Sequence, residues 1–187
     1  MRTLIIAMLP VLLSACNSVP ATTDTPETSS NIERYLALEE IKQLKARYFR
    51  YLDTKNWSGM ETLFTPDAQA VYNLVDASGL GTLNEPVVGP SAIAAFIQRG
   101  VDPLVTVHHG HMPEIEFTGT DTASGIWAMF DRLRGDSLVL DGWGHYHEEY
   151  RRCEDGRWRI SSSRLTRLCA ESPNDDLVAS IWPESRA

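Results

Sequence analysis

The five histidines of this chain lie in two short segments, and imidazole is the side chain best suited to exchange a proton near neutral pH. His108, His109 and His111 occur in TVHHGHMPEIEF, whereas His145 and His147 occur in GWGHYHEEYRR. Imidazole nitrogens also bind transition metals, so the two segments suit either acid–base chemistry or a metal site. Both segments have the composition of β-strands, in which alternate side chains face opposite sides. If His108 faces the interior, His109 and His111 therefore face outwards.

The same alternation divides the second histidine segment. His145 and His147 share one face, while Tyr146, Glu148 and Tyr150 share the other. Each histidine pair places two imidazoles on one strand face, and Glu148 or Glu149 could complete a ligand set for zinc or iron. No histidine follows His147 to add a further ligand. The pattern therefore favours acid–base chemistry, and we predict neither a metal nor a cofactor.

The first part of the chain has helical periodicity. Its apolar positions recur at helical spacing, at Ile32, Leu36, Ile41, Leu44, Tyr48 and Leu52. Polar residues fill most of the opposite face, at Glu39, Glu40, Lys42 and Lys45. This spacing predicts a long amphipathic helix that ends near residues 53–56.

Shorter elements follow the long helix. A second helix is expected from Trp57 to Phe64, with Pro66 ending it, and AQAVYNL is expected to form a strand. A loop is predicted over residues 77–89. A third helix is predicted from Pro90 to Arg99, with Ile93, Phe96 and Ile97 as its apolar face and Gly100 as its stop.

From Val105 onward the pattern changes to β-structure. Four strand-length segments are separated by the turn sequences TGTD, RGD and EDG. Helices followed by an antiparallel meander indicate an α+β domain. We expect a cone-shaped roll in which the N-terminal helices pack on a curved, mainly antiparallel sheet and enclose a pocket.

The N-terminus has the features of a secretion signal. A basic start precedes an apolar run from Leu4 to Leu13, which is too short to span a membrane. The sequence LSAC, which ends at Cys16, resembles the bacterial lipobox, in which the signal is cut before a cysteine that becomes acylated. We therefore predict a signal peptide over residues 1–15 and a lipidated flexible tether over residues 16–30.

Residues 31–170 are enough for one domain with a real core but not for two, and residues 171–187 are predicted to be a C-terminal tail. Asn17, directly after the lipobox cysteine, favours attachment at the periplasmic face of a bacterial outer membrane. The lipid anchor would make the membrane a partner of the chain. The formal net charge of −8 argues against nucleic acid as a partner.

Five segments in order carry a family resemblance: IKQLKARYFRYLDTKNW, VGPSAIAAFI, TVHHGHMPEIEF, GWGHYHEEYRR and GRWRISS. Together they resemble the SnoaL-like branch of the nuclear transport factor 2-like superfamily over residues 31–168. Within it, the segment around His108 is similar to hexachlorocyclohexane dehydrochlorinases, and YLDTKNW is similar to scytalone dehydratases. Both groups use a His–Asp pair to remove a proton beside a leaving group. The resemblance places this pair on Asp53 and His108, and it implies a homodimer.

Each member of the pair also has a structural alternative. Asp53 at the end of a helix could instead cap the chain near Asn56 and Trp57, and His108 could be a buried core histidine. The resemblance also favours Tyr146 pointing inwards, where the dehydratases carry a second histidine. It places Arg164 near a basic residue on the last strand of the dehydrochlorinases.

Further aromatic residues are candidates for the pocket wall or the core. We expect Tyr48, Tyr72 and Trp127 to contact the substrate, together with Tyr146 and Arg164. The sequence therefore predicts a cofactor-independent lyase or isomerase that acts on a small, largely apolar molecule by proton abstraction. The alternative is a non-catalytic envelope lipoprotein that binds a hydrophobic ligand or a protein partner.

Overall fold

The computed structural model describes residues 26–72, 85–136 and 138–173. The predicted signal peptide and Cys16 lie outside these ranges, and so does most of the predicted tail, so these assignments stay predictions. Within the described ranges, no helix combines the length and apolar character needed to cross a membrane.

The predicted long helix is present as α1 (Pro26–Asp53). It begins five residues before the expected domain start at residue 31, with a proline in its first turn, where the missing N–H group costs nothing. Its later apolar residues are buried, but Ile32 and Leu36 are 50% and 56% exposed. Every residue from 31 to 36 is exposed, so this part of the helix has no buried face. The assignment of these two residues to the core face was therefore wrong.

Lys45 of α1 also differs from the expectation. It was expected on the solvent face, but it lies four residues after Ile41 and three before Tyr48, on the buried stripe of the helix, and is fully buried. A buried ammonium group is tolerated only when it is paired, and Lys45 Nζ lies 2.6 Å from Glu148 Oε1.

Helix α2 (Trp57–Glu61) is shorter than predicted, and strand β1 (Phe64–Tyr72) begins at the residue where the helix was expected to end. Pro66 therefore lies within β1 and does not end a helix. A register shift between Phe64 and Gln69 interrupts the pairing there. Because the ladder is already irregular at this point, a residue without an N–H group is accommodated.

The expected loop before the third helix contains a two-residue strand, β2 (Val87–Val88), which pairs with β1. Helix α3 (Pro90–Val101) then runs one residue past the predicted stop at Gly100. Ile93 and Ile97 are buried as predicted.

The four strands expected after residue 105 are present as β3 (Val105–Phe117), β4 (Thr122–Arg134), β5 (Val139–Arg152) and β6 (Trp158–Glu171). The sheet has six strands in the order β2-β1-β6-β5-β4-β3. All neighbours are antiparallel except β1 and β6, which are parallel. The predicted α+β class is confirmed, with N-terminal helices packed on a curved, mostly antiparallel open sheet.

Helix α1 lies very close to β3 at Gly110. A Cβ atom at this position would lie 2.5 Å from Cε2 of the Phe49 ring, which is closer than non-bonded carbon atoms pack. The glycine therefore lets the helix approach β3 beside His108. This approach brings the C-terminal end of α1 to the inner face of the strand that carries His108.

Candidate active site

The end of α1 fixes the position of Asp53. Lys55 has a positive φ of 57°, and the N–H group of Asn56 donates to the carbonyl of Tyr51 at 2.8 Å. A left-handed residue followed by such a bond is the Schellman type of helix end. The chain therefore leaves the helix directly after Asp53, and the aspartate stands at the tip of α1 facing β3.

Strand alternation provides the other half of the site. Thr106 and His108 are 5% and 7% exposed on the inner face of β3, whereas Val105 and Val107 are 73% and 39% exposed on the outer face. His109 is exposed on that outer face too. The predicted inward orientation of His108 is what the structure shows.

The Asp53 carboxylate accepts three hydrogen bonds from β3. Its Oδ1 lies 2.7 Å from His108 Nδ1 and 2.9 Å from the Thr106 hydroxyl, and its Oδ2 accepts the backbone N–H of His108 at 2.9 Å. The helix-cap role considered for Asp53 belongs to Asn56, whose side chain accepts the N–H of Gly59 at 2.9 Å. Asp53 and His108 therefore form a hydrogen-bonded dyad.

The charge of Asp53 determines which nitrogen of His108 carries the proton. Burial alone would raise the pKa of Asp53, but the hydrogen bonds from His108 and Thr106 and the attraction of the imidazole bring the pKa below its usual value. An ionised carboxylate can only accept hydrogen bonds, so Nδ1 of His108 must carry the proton. The lone pair of a neutral His108 ring is then on Nε2, which has no hydrogen-bond partner among the described residues.

The lowered pKa of Asp53 predicts a pH-dependent stability. A carboxylate with a depressed folded pKa contributes fully above the ordinary aspartate pKa, about 3.9, and loses its contribution as the pH falls through the lower folded value. The advantage of wild type over Asp53→Asn in unfolding free energy should therefore shrink as the pH falls below about 4. Urea unfolding between about pH 5 and about pH 3 measures it, and an advantage that grows below about pH 4 would contradict the assignment.

A second charged pair lies beside His108. Asp131 of β4 is the cross-strand neighbour of His108, and it binds Arg167 of β6 through contacts of 3.0 and 2.5 Å. Their side chains are only 3% and 6% exposed. Arg164, the basic residue expected on the last strand, is exposed on the outer face. The structure thus brings Arg167, and not Arg164, to the dyad.

Three predicted pocket tyrosines are buried in the interior. Tyr48 and Tyr146 are in edge contact, with ring centroids 5.8 Å apart, and Tyr72 stacks on Phe96 at 5.3 Å. Burial, with smaller effects from neighbouring groups, raises the pKa of each phenol well above its usual value. The Tyr146 phenol is also influenced by the charges of Asp131 and Arg167. These phenols therefore stay protonated at neutral pH and can act as hydrogen-bond donors.

Trp127, the remaining inward candidate, belongs to a separate hydrogen-bond network. Its indole N–H donates to the Tyr150 hydroxyl at 2.7 Å, and that hydroxyl donates to Glu148 at 2.7 Å. Glu148 also accepts from Lys45 at 2.6 Å and from Ser163 at 3.1 Å. This Lys45–Glu148 network lies about 12 Å from Asp53 along α1, because Asp53 is eight positions after Lys45 and an α-helix rises about 1.5 Å per residue.

The four remaining histidines lie on the outer face of the sheet. The rings of His109 and His111 are 5.8 Å apart, and those of His145 and His147 are 6.2 Å apart. A groove of about 600 Å³ on this side is lined by residues that include His147, Glu149 and Arg164. Within the described ranges, no group of three or more potential ligands is arranged to hold a metal ion.

Residues 33–164 match the model of the SnoaL-like domain. The chain belongs to the SnoaL-like family. A probable cyclase from Gibberella zeae is 25% identical over 134 residues, which cover 68% of this chain and 89% of the cyclase.

Solved structures resemble this SnoaL-like protein in fold. A protein assigned as a scytalone dehydratase from Novosphingobium aromaticivorans is 18% identical with a TM-score of 0.64, over 79% of this chain and 92% of its own. A hexachlorocyclohexane dehydrochlorinase from Novosphingobium barchaimii is 18% identical with a TM-score of 0.63, over 75% of this chain and 92% of its own. At this identity the likeness concerns the fold alone.

Several polar residues of this SnoaL-like interior were missed from the sequence. Asp131 had a usable signal, because it shares strand parity with the buried residues Trp127 and Met129, and a charge at an inward position is unusual. Arg167 had a weaker one, because register shifts between β5 and β6 break simple counting along the last strand. Lys45 also had a signal, because it lies four residues after Ile41 and three before Tyr48, on the buried stripe of the helix.

Proposed function

We propose that this SnoaL-like protein is a cofactor-independent lyase or isomerase that removes a proton from carbon. The observation that carries the proposal is the 2.7 Å contact between Asp53 and His108 Nδ1, which leaves Nε2 as the free basic atom. A His–carboxylate pair with this geometry is suited to general-base catalysis. Relatives named as a dehydratase, a dehydrochlorinase and a probable cyclase support the choice of reaction class.

In the proposed reaction, His108 Nε2 takes a proton from a substrate carbon. The electron pair of the broken C–H bond forms a double bond. In a lyase, the leaving group departs from the adjacent carbon with its own bonding electrons. In an isomerase, the imidazolium returns the proton to a different carbon. The carboxylate of Asp53 stabilises the imidazolium in both cases.

The charges of the interior favour an uncharged substrate. Among the described residues, the buried cations Lys45 and Arg167 are paired with the carboxylates of Glu148 and Asp131. Lys55 is only partly buried; it donates to the Thr106 hydroxyl at 3.0 Å, and the carboxylates of Asp53 and Asp102 attract its ammonium group. We therefore propose a small, largely apolar molecule with an acidic C–H group, whose oxygen atoms would accept hydrogen bonds from Tyr72 and Tyr146.

Deuterium exchange tests the proposal even while the product is unidentified. Uncharged compounds with an acidic C–H group are incubated in D₂O with wild type and with His108→Asn, and NMR follows both deuterium incorporation and double-bond formation. The Asn side chain places an N–H donor where His108 has Nδ1, so it preserves the contact with Asp53 but lacks Nε2. We expect exchange with wild type only.

Binding is measured in parallel by NMR line broadening of the same compounds. Compounds that bind wild type and His108→Asn equally, with no exchange by either, would contradict the proposed chemistry and favour the binding-protein alternative. Equal exchange by both proteins would remove His108 from the role of base.

A further inference from the structure

His108 has a second carboxylate beside it. Asp131 is its direct neighbour across the β3–β4 ladder, and both side chains are buried on the inner face of the sheet. Side chains in such a pair have Cβ atoms about 4.5–5.5 Å apart. At that separation in a buried site, one charge affects the titration of the other strongly.

Arg167 reaches Asp131 across an intervening strand. Asp131 lies on β4 and Arg167 on β6, and the residue of β5 opposite Asp131 is Gly142. A Cβ atom at Gly142 would collide with Arg167 Nη1 and with Asp131 Oδ1. The bidentate ion pair therefore occupies the space that a side chain at position 142 would fill, and it lies directly over β5.

The ion pair has a consequence for the proposed base. An unpaired carboxylate next to His108 would stabilise the imidazolium, and a histidine that is already protonated cannot accept a proton from a substrate. The Arg167 guanidinium neutralises this carboxylate. The other charged or titratable groups near His108 come from the end of α1, the turn after it and β5, namely Asp53, Lys55 and Tyr146.

We propose that Arg167 is a positioning residue that acts on His108 through Asp131: it pairs with the second carboxylate and so prevents that carboxylate from adding to the stabilisation of the His108 imidazolium. The functional meaning of this assignment rests on the proposed function. The electrostatic assignment itself concerns only the titration of His108, which is measurable without any substrate.

NMR titration of the His108 ring tests the inference. Its imidazole signals are identified by their absence in His108→Asn and followed with pH in wild type, Arg167→Met, Asp131→Asn and the double variant. Arg167→Met leaves Asp131 uncompensated, so the midpoint of the His108 titration should rise by on the order of one pH unit. Asp131→Asn leaves Arg167 uncompensated, so the midpoint should fall. The double variant should return close to wild type.

The opposite directions of the two single variants keep the test decisive if one of them fails to fold, which loss of chemical-shift dispersion would reveal. A midpoint that does not move in a folded single variant, or that moves in the wrong direction, would overturn the inference. Absence of deuterium exchange with every compound would count against the proposed reaction and leave this titration result unaffected.

Discussion

Replacing His108 with asparagine should lower kcat by on the order of a thousandfold once a substrate is found, with KM changed only a few-fold. The reason is that Asn keeps an N–H donor toward Asp53, where His108 Nδ1 now lies 2.7 Å from Oδ1, but has no atom equivalent to the basic Nε2. Binding contacts are then retained while the proton acceptor is lost. Steady-state kinetics on the purified variant measures the effect.

His109→Asn is the matched control for this prediction. The residue is adjacent in sequence and has the same side chain, but it is exposed on the outer face of β3. Its kcat and KM should stay within about two-fold of wild type, since the change does not touch the interior. Similar losses in the two variants would show that the rate depends on something other than the inward imidazole.

The second large effect concerns stability. Lys45→Met should lower the free energy of unfolding by about 3–5 kcal/mol, because it leaves the Glu148 carboxylate buried without its cation. Both side chains of this pair are completely buried, and Nζ and Oε1 are 2.6 Å apart. Burial lowers the pKa of Lys45, and the attraction of Glu148 opposes this shift. Urea unfolding monitored by tryptophan fluorescence measures the loss.

Two further variants separate the ion pair from general packing. Lys42→Met removes a pair with Glu39 whose side chains are 39% and 41% exposed, and it should cost less than about 1 kcal/mol. The double variant Lys45→Met/Glu148→Gln removes both buried charges and should recover a large part of the loss seen in Lys45→Met. A double variant as unstable as the single one would show that the aromatic packing around Lys45, and not its charge, determines stability.

Much of the fold could be predicted from the sequence because its signals are local. The helical spacing from Ile41 to Leu52 and the alternation after Val105 each depend on residues a few positions apart, and both elements are present. The parallel pairing of β1 with β6 depends on residues about 95 positions apart, such as Phe64 and Ile160, and leaves no local pattern. The short strand β2 could not be predicted either, because two residues are too few to show a periodic pattern.

The candidate site, like the fold, could be predicted only in part. Asp53 and His108 could be proposed because a family resemblance pointed to both, and because Asp53 was expected at the end of the long helix. Arg164 was proposed because the resemblance places it near a basic residue on the last strand of the dehydrochlorinases, and register shifts between β5 and β6 put Arg167 on the inner face instead. The spacing from Ile41 and Tyr48 could have placed Lys45 on the buried face of α1, but its partner Glu148 is 103 residues away, so no local pattern reveals the ion pair.

The separation between the dyad and the Lys45–Glu148 network affects how this protein can diverge. The rings of Tyr48, Phe49 and Tyr146 pack edge to face between them, with centroids 5.6–5.8 Å apart. Lys45 Nζ lies 3.5 Å from the centroid of the Tyr146 ring, so Tyr146 is shared between this network and the proposed substrate site. Sites change stability independently only when they are more than about 7–10 Å apart and share no partner. Substitutions confined to Asp53 and His108 can therefore alter the reaction while the distant ion pair continues to support folding. A substitution of Tyr146 that changes the substrate would also disturb the packing of the buried ammonium group.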